Sequence, residues 1–112
     1  MSCAISLQVG NSSVIEVQGL QNSVDETYQN SATVTCTLTD LAGASLAGET
    51  WPKTMVYVAA SNGNYRATLS HEIAMVVGSS YLYDVTAVQS GSVARWRGLF
   101  IICNCSYCRR CI

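Results

Sequence analysis

Residues 32–69 read ATVTCTLTDLAGASLAGETWPKTMVYVAASNGNYRATL, and their grammar decides the fold. Val34, Cys36 and Leu38 alternate with Thr33, Thr35, Thr37 and Thr39, the period-2 pattern of a strand with one face on a core. Asp40, Gly43 and Gly48 supply turn chemistry where the alternation stops. A second apolar run begins at Met55. The Asn62-Gly63 pair then separates it from the run that starts at Tyr65, and Asn-Gly between two β-type runs predicts a tight hairpin.

Working outward, residues 4–9 and 14–18 alternate around Gly10 and Asn11, which predicts a small N-terminal hairpin or two sheet-edge strands. Residues 21–31 (QNSVDETYQNS) carry no period and read as a polar loop, either a contact element or an ordinary solvated connection. Residues 73–77 precede Gly78 as a short strand or an extended plug at one end of the core. Tyr81, Tyr83, Val85 and Ala87 mark a further strand. Leu82 and Val88 on its second face predict a strand partly buried on both sides. After Ser90-Gly91-Ser92, residues 93–102 form the last strand. No window carries a 3.6-residue period. Seven or eight short strands with regular turn signals predict an all-β chain, a single antiparallel Ig-like β-sandwich over 1–102 with a Cys-rich tail over 103–112. Pro52, the sole proline, places Trp51-Pro52 at an edge or crossover. Trp51 is read there as a lid over the core, with a ligand platform as the alternative.

A chain of 112 residues is one domain with one core. Charged residues make up only 12% and the net charge is −1, which supplies no field for collecting phosphates and excludes an electrostatic nucleic-acid binder. The N-terminus has no basic and apolar signal pattern, and no run approaches the ~20 apolar residues of a membrane span. Synthesis in a cytoplasm with reduced thiols is therefore expected.

Catalytic chemistry is sparse. His71 stands on a turn without a carboxylate at useful spacing, and there is no nucleophile elbow, phosphate-cradling loop or dense acidic pair. A non-enzymatic chain is expected. Cys103, Cys105, Cys108 and Cys111 place four thiols in nine residues. They read as a zinc or iron–sulfur ligand set, as a disulfide or crosslink, or as a reduced, disordered tail. Cys36, on the inward face of its strand, is a small buried apolar residue.

The same landmarks carry a family likeness. Ala32-Thr33-Val34-Thr35, Asp40 with Gly43 and Gly48, Trp51-Pro52, Tyr57-Val58, Ser61-Asn62-Gly63 with Tyr65-Arg66, Gly78 with Tyr81, and Trp96 resemble a small β-sandwich protein of tailed-bacteriophage structural gene blocks. The pattern spans about residues 13–96 and overlaps the grammar of Ig-like and transthyretin-like modules; the cysteine tail departs from it. The resemblance implies a virion structural protein made in the host cytoplasm and present in many copies. It would be a capsid cement or decoration protein on the major capsid protein, or a head-tail neck or tail component meeting the portal. The contact residues expected are Asp25, Glu26 and Tyr28 on the polar loop, Trp51 and Pro52 in the crossover, and Arg95 and Arg97 on the last strand. A competing class is a carbohydrate- or surface-binding module using Trp51, Tyr57, Tyr65 and Trp96 as stacking platforms.

Overall fold

A computed structural model describes residues 2–8, 13–22, 25–70, 72–73, 75–76, 78–89 and 91–101. Seven strands account for most of them: β1 (Ser2–Gln8), β2 (Ser13–Gln21), β3 (Thr33–Thr39), β4 (Lys53–Tyr57), β5 (Tyr65–Leu69), β6 (Ser80–Gln89) and β7 (Ser92–Ile101). Every pairing is antiparallel, and no helix occurs among the described residues. The all-β expectation of seven or eight antiparallel strands therefore holds, with seven among the described residues.

The finer sandwich expectation takes a different form. The strands make one continuous curled sheet in the order β1-β2-β5-β4-β3-β6-β7, and the bend falls within β4. Its first residues, Lys53 to Met55, pair with β3, whereas Val56 and Tyr57 pair with β5. One short strand thus belongs to both halves, so the two layers are not independent sheets.

The core explains the curl. Ile15, Val17, Leu20, Tyr65, Ala67 and Leu69 come from one half of the sheet. Val34, Cys36, Leu38, Tyr81, Val85, Ala87 and Phe100 come from the other, and all are buried in one cluster with Met55 of β4. Each half has alternating faces, and only folding the sheet on itself covers both apolar faces at once. The β3 pattern was read correctly, with Val34, Cys36 and Leu38 at 1% exposure or less. On β6 the second face is partly buried at Leu82, Asp84 and Thr86, as expected, whereas Val88 near the strand's end is 39% exposed.

One irregularity was invisible in the alternation. On β2, Val17 and Leu20 both point inward although three residues apart. The β1–β2 register shifts between Ser2 and Ala4, opposite this point, so a bulge at Gly19 turns Leu20 back into the core. Of the segment after β5, Ile73 is buried, Met75 packs on the core and neither belongs to a strand, while Ala74 and Val77 lie outside the described residues.

Cys36 sits inside this core, where burial pushes its thiol up to about 12. The thiolate is the reactive form, so Cys36 should resist alkylation in the folded chain. Site-resolved mass spectrometry after iodoacetamide treatment is expected to show modification at Cys36 only in unfolding concentrations of denaturant. Rapid native labelling would contradict its place in the core.

Candidate interaction surface

The expected contact residues are spread over the molecule. Asp25, Glu26 and Tyr28 belong to the connection between β2 and β3, beside the Thr33 end of β3. Trp51 and Pro52 enter β4, and the Lys53↔Cys36 pairing carries them toward the opposite end. Arg95 and Arg97 lie side by side on the outer face of β7. Only these two arginines are brought together.

The polar loop is more ordered than a solvated connection. Asp25 Oδ1 accepts hydrogen bonds from Thr27 N (3.1 Å) and Thr27 Oγ1 (2.8 Å). Backbone bonds join Asn22 N to Thr27 O and Gln29 N to Leu20 O. Tyr28 bridges to Gln21 and remains 45% exposed. Beneath the loop, the buried Tyr65 hydroxyl donates to Gln29 O (2.5 Å) and accepts from Ala32 N (3.0 Å). The Asn-Gly turn binds the same region, with Gly63 N donating to Asn30 Oδ1 (2.8 Å), Leu20 N to Gly63 O (2.9 Å) and Gly19 N to Asn64 Oδ1 (2.9 Å).

Trp51 is a lid. It packs on the core cluster, and its Nε1 donates to Leu46 O at 2.7 Å. Pro52 is exposed and follows a cis peptide bond. Tyr57, Tyr65 and Trp96 also pack into or against the core, Tyr57 meeting Tyr65 edge-on at 5.5 Å. The four aromatics expected of a sugar platform thus spend much of their surface on the protein itself.

The outer face of β6 and β7 has a regular pattern. Cross-strand pairs run Leu82↔Leu99, Asp84↔Arg97, Thr86↔Arg95 and Val88↔Val93, with an apolar pair at each end and the charges between. Asp84 accepts from Arg95 Nε (2.9 Å) and Nη2 (2.5 Å), and from Arg97 Nε (3.2 Å). The Arg95 hydrogen bonds foremost, with help from Arg97, hold the Asp84 carboxyl below the usual carboxylate range against partial burial. Asp84 was missed as a site residue, although the alternation Leu82-x-Asp84-x-Thr86-x-Val88 across a Ser-Gly turn from Val93-x-Arg95-x-Arg97-x-Leu99 held the signal.

Because folding lowers the Asp84 pKa, its stabilising contribution is complete above the unfolded value of about 3.9. It is lost as pH falls through the lower, folded value. Asp84→Asn should therefore lower the urea midpoint at about pH 7, with the difference from wild type closing toward about pH 2. A pH-independent difference would show that Asp84 acts through packing alone.

Two depressions lie on the described surface. One, of about 490 Å³, opens where β4 turns away from β5 and is lined by Lys53, Thr54, Val56, Tyr57, Arg66 and Thr68. The other, of about 200 Å³, lies beside Asp84 and Arg97. Among the described residues no three His, Cys, Asp or Glu side chains are grouped to hold a metal. His71 and the tail cysteines Cys103, Cys105, Cys108 and Cys111 lie outside the described residues. No helix among the described residues is long and apolar enough to cross a membrane.

The chain matches no family model, curated protein or solved structure.

The two sheet edges differ sharply. β1 ends in the shifted register, whereas β7 pairs with β6 without interruption from Ser92 to Ile101. Its other side has no strand partner among the described residues. β7 contains no proline, lysine or bulge, and Arg95 and Arg97 are the only charged side chains along it. Its outer face shows Val93 at 66% and Leu99 at 59% exposure.

Proposed function

We propose that this chain is a non-enzymatic structural module that docks on other protein subunits through its sheet edges. The β7 edge carries this reading: ten residues of regular strand, with no strand partner on one side among the described residues and with exposed apolar side chains flanking it. Such an edge offers main-chain hydrogen bonds to a neighbour's strand, and its side chains select which strand fits. The resemblance to tailed-phage structural proteins extends the proposal to a setting. On it, the chain is a capsid cement or decoration protein on coat subunits, with a head-tail neck or tail position as the alternative placement. Repetition over a symmetric shell would let individually weak contacts hold a particle.

The test is purification of phage particles from cells that express the chain. A structural module is expected in the particle fraction at fixed stoichiometry, released by mild denaturant. A chain found only free, at no fixed ratio to coat protein, contradicts the virion placement.

A further inference from the structure

The β7 edge also specifies what pairs with it. Two guanidinium groups share one carboxylate, and they share it unequally. Arg95 takes both Asp84 oxygens through Nε and Nη2, while Arg97 reaches it only through Nε at 3.2 Å. The Arg97 side chain is 70% exposed, and no described residue accepts from its Nη groups. The cluster therefore presents unspent positive charge beside open backbone groups. Exposed Val93 and Leu99 flank it on the same face.

We infer that the free edge of β7 binds an extended acidic segment of a partner protein by antiparallel strand addition. Residues directly opposite in such a pair share a face, with Cβ atoms about 5 Å apart. A strand laid along β7 thus sets one side chain against each of Leu99, Arg97, Arg95 and Val93. The favoured pattern is apolar-x-acidic-x-polar-x-apolar, the acidic residue meeting Arg97. On its other side β7 already pairs with such a strand, Leu82-x-Asp84-x-Thr86-x-Val88. Pairing of β7 with β7 of a second copy is disfavoured. The registers that keep matching faces together set arginine against arginine, or leave Arg97 against an apolar or missing partner.

This inference rests on the edge-docking reading above, and its test separates the two. A labelled synthetic peptide with the β6 sequence SYLYDVTAVQ is titrated with the full chain and followed by fluorescence anisotropy. Wild type is expected to bind it. A peptide carrying Asp84→Lys should bind roughly tenfold or more weakly, the factor that corresponds to about 1.4 kcal/mol. The Arg97→Glu chain should reverse that order and prefer the lysine peptide. That reversal is a readout that misfolding cannot produce, and circular dichroism confirms that the variant keeps its β spectrum. Equal binding of both peptides, no binding of either, or concentration-dependent dimerisation abolished by Arg97→Glu would overturn the inference. If particles still incorporate the chain while the peptide fails to bind, only the acidic-strand assignment falls. If incorporation fails as well, the docking reading falls with it.

Discussion

Gly63→Ala is expected to be among the most damaging single substitutions in this chain, at about 4 kcal/mol. Gly63 is buried at a φ of 72°, in the left-handed region, where an L side chain costs on the order of 1–2 kcal/mol. A Cβ there would stand 2.6 Å from both Leu20 N and Leu20 O, backbone atoms of β2 that cannot swing aside. Relief requires the turn to lift from β2. That movement loosens the bonds from Leu20 N to Gly63 O and from Gly63 N to Asn30 Oδ1, each worth roughly 1 kcal/mol. Gly91→Ala is the control. Gly91 also has positive φ, at 82°, but faces open space, so only the backbone strain applies. Urea unfolding followed by circular dichroism should rank wild type, Gly91→Ala and Gly63→Ala in falling stability. With a total of about 5–15 kcal/mol for a domain, Gly63→Ala would sit near the limit of folding. Equal losses in the two variants would show that close approach to β2 contributes nothing.

Tyr65→Phe is expected to cost about 3 kcal/mol although it removes one oxygen. The ring stays in the core against Tyr57, so apolar burial hardly changes. What disappears is the hydroxyl that donates to Gln29 O and accepts from Ala32 N. Burial raises the Tyr65 phenol above its ordinary value, so the hydroxyl keeps its proton for donation across the neutral range. Gln29 is itself buried, and its freed carbonyl has no ready route to water. An unsatisfied buried group costs roughly 1–3 kcal/mol, and the half-buried Ala32 N–H loses its acceptor at the same time. The loop carrying Asp25 and Tyr28 should loosen along with global stability. Faster amide exchange across residues 27–32 would report it locally. A loss below about 0.5 kcal/mol would mean that water replaces the hydroxyl.

Most of the strand framework was legible because alternation is a local property. Thr33 to Thr39, Tyr65 to Leu69 and Tyr81 to Ala87 each announce an inward face without reference to a partner strand. The bulge at Gly19 was not legible, since a one-residue slip depends on the neighbouring strand and leaves no mark in composition. Nor was the shared role of β4, because the five residues Lys53 to Tyr57 read the same whether one partner or two flank them. The Ig-like expectation assumed two separate layers, whereas Met55 and Tyr57 tie both halves into one sheet. Of the site, Arg95 and Arg97 were singled out as residues, but their meaning required Asp84, which arrives only with the β6–β7 register. The loop residues Asp25 and Glu26 were expected as contacts. Yet the structural work there falls to Gln29, Asn30 and Tyr65, whose hydrogen bonds span as many as 36 positions in sequence.

Hydrogen exchange along β7, compared between the free chain and the chain bound in its assembly, tests the central claim most directly. In the free chain the amides pointing toward β6 should be protected, and the alternate amides, pointing off the open edge, should exchange rapidly. On assembly those alternate amides should become protected as a neighbour's strand takes up their hydrogen bonds. Uniform protection along β7 in the free chain, or unchanged exchange at its open edge after assembly, would contradict the account.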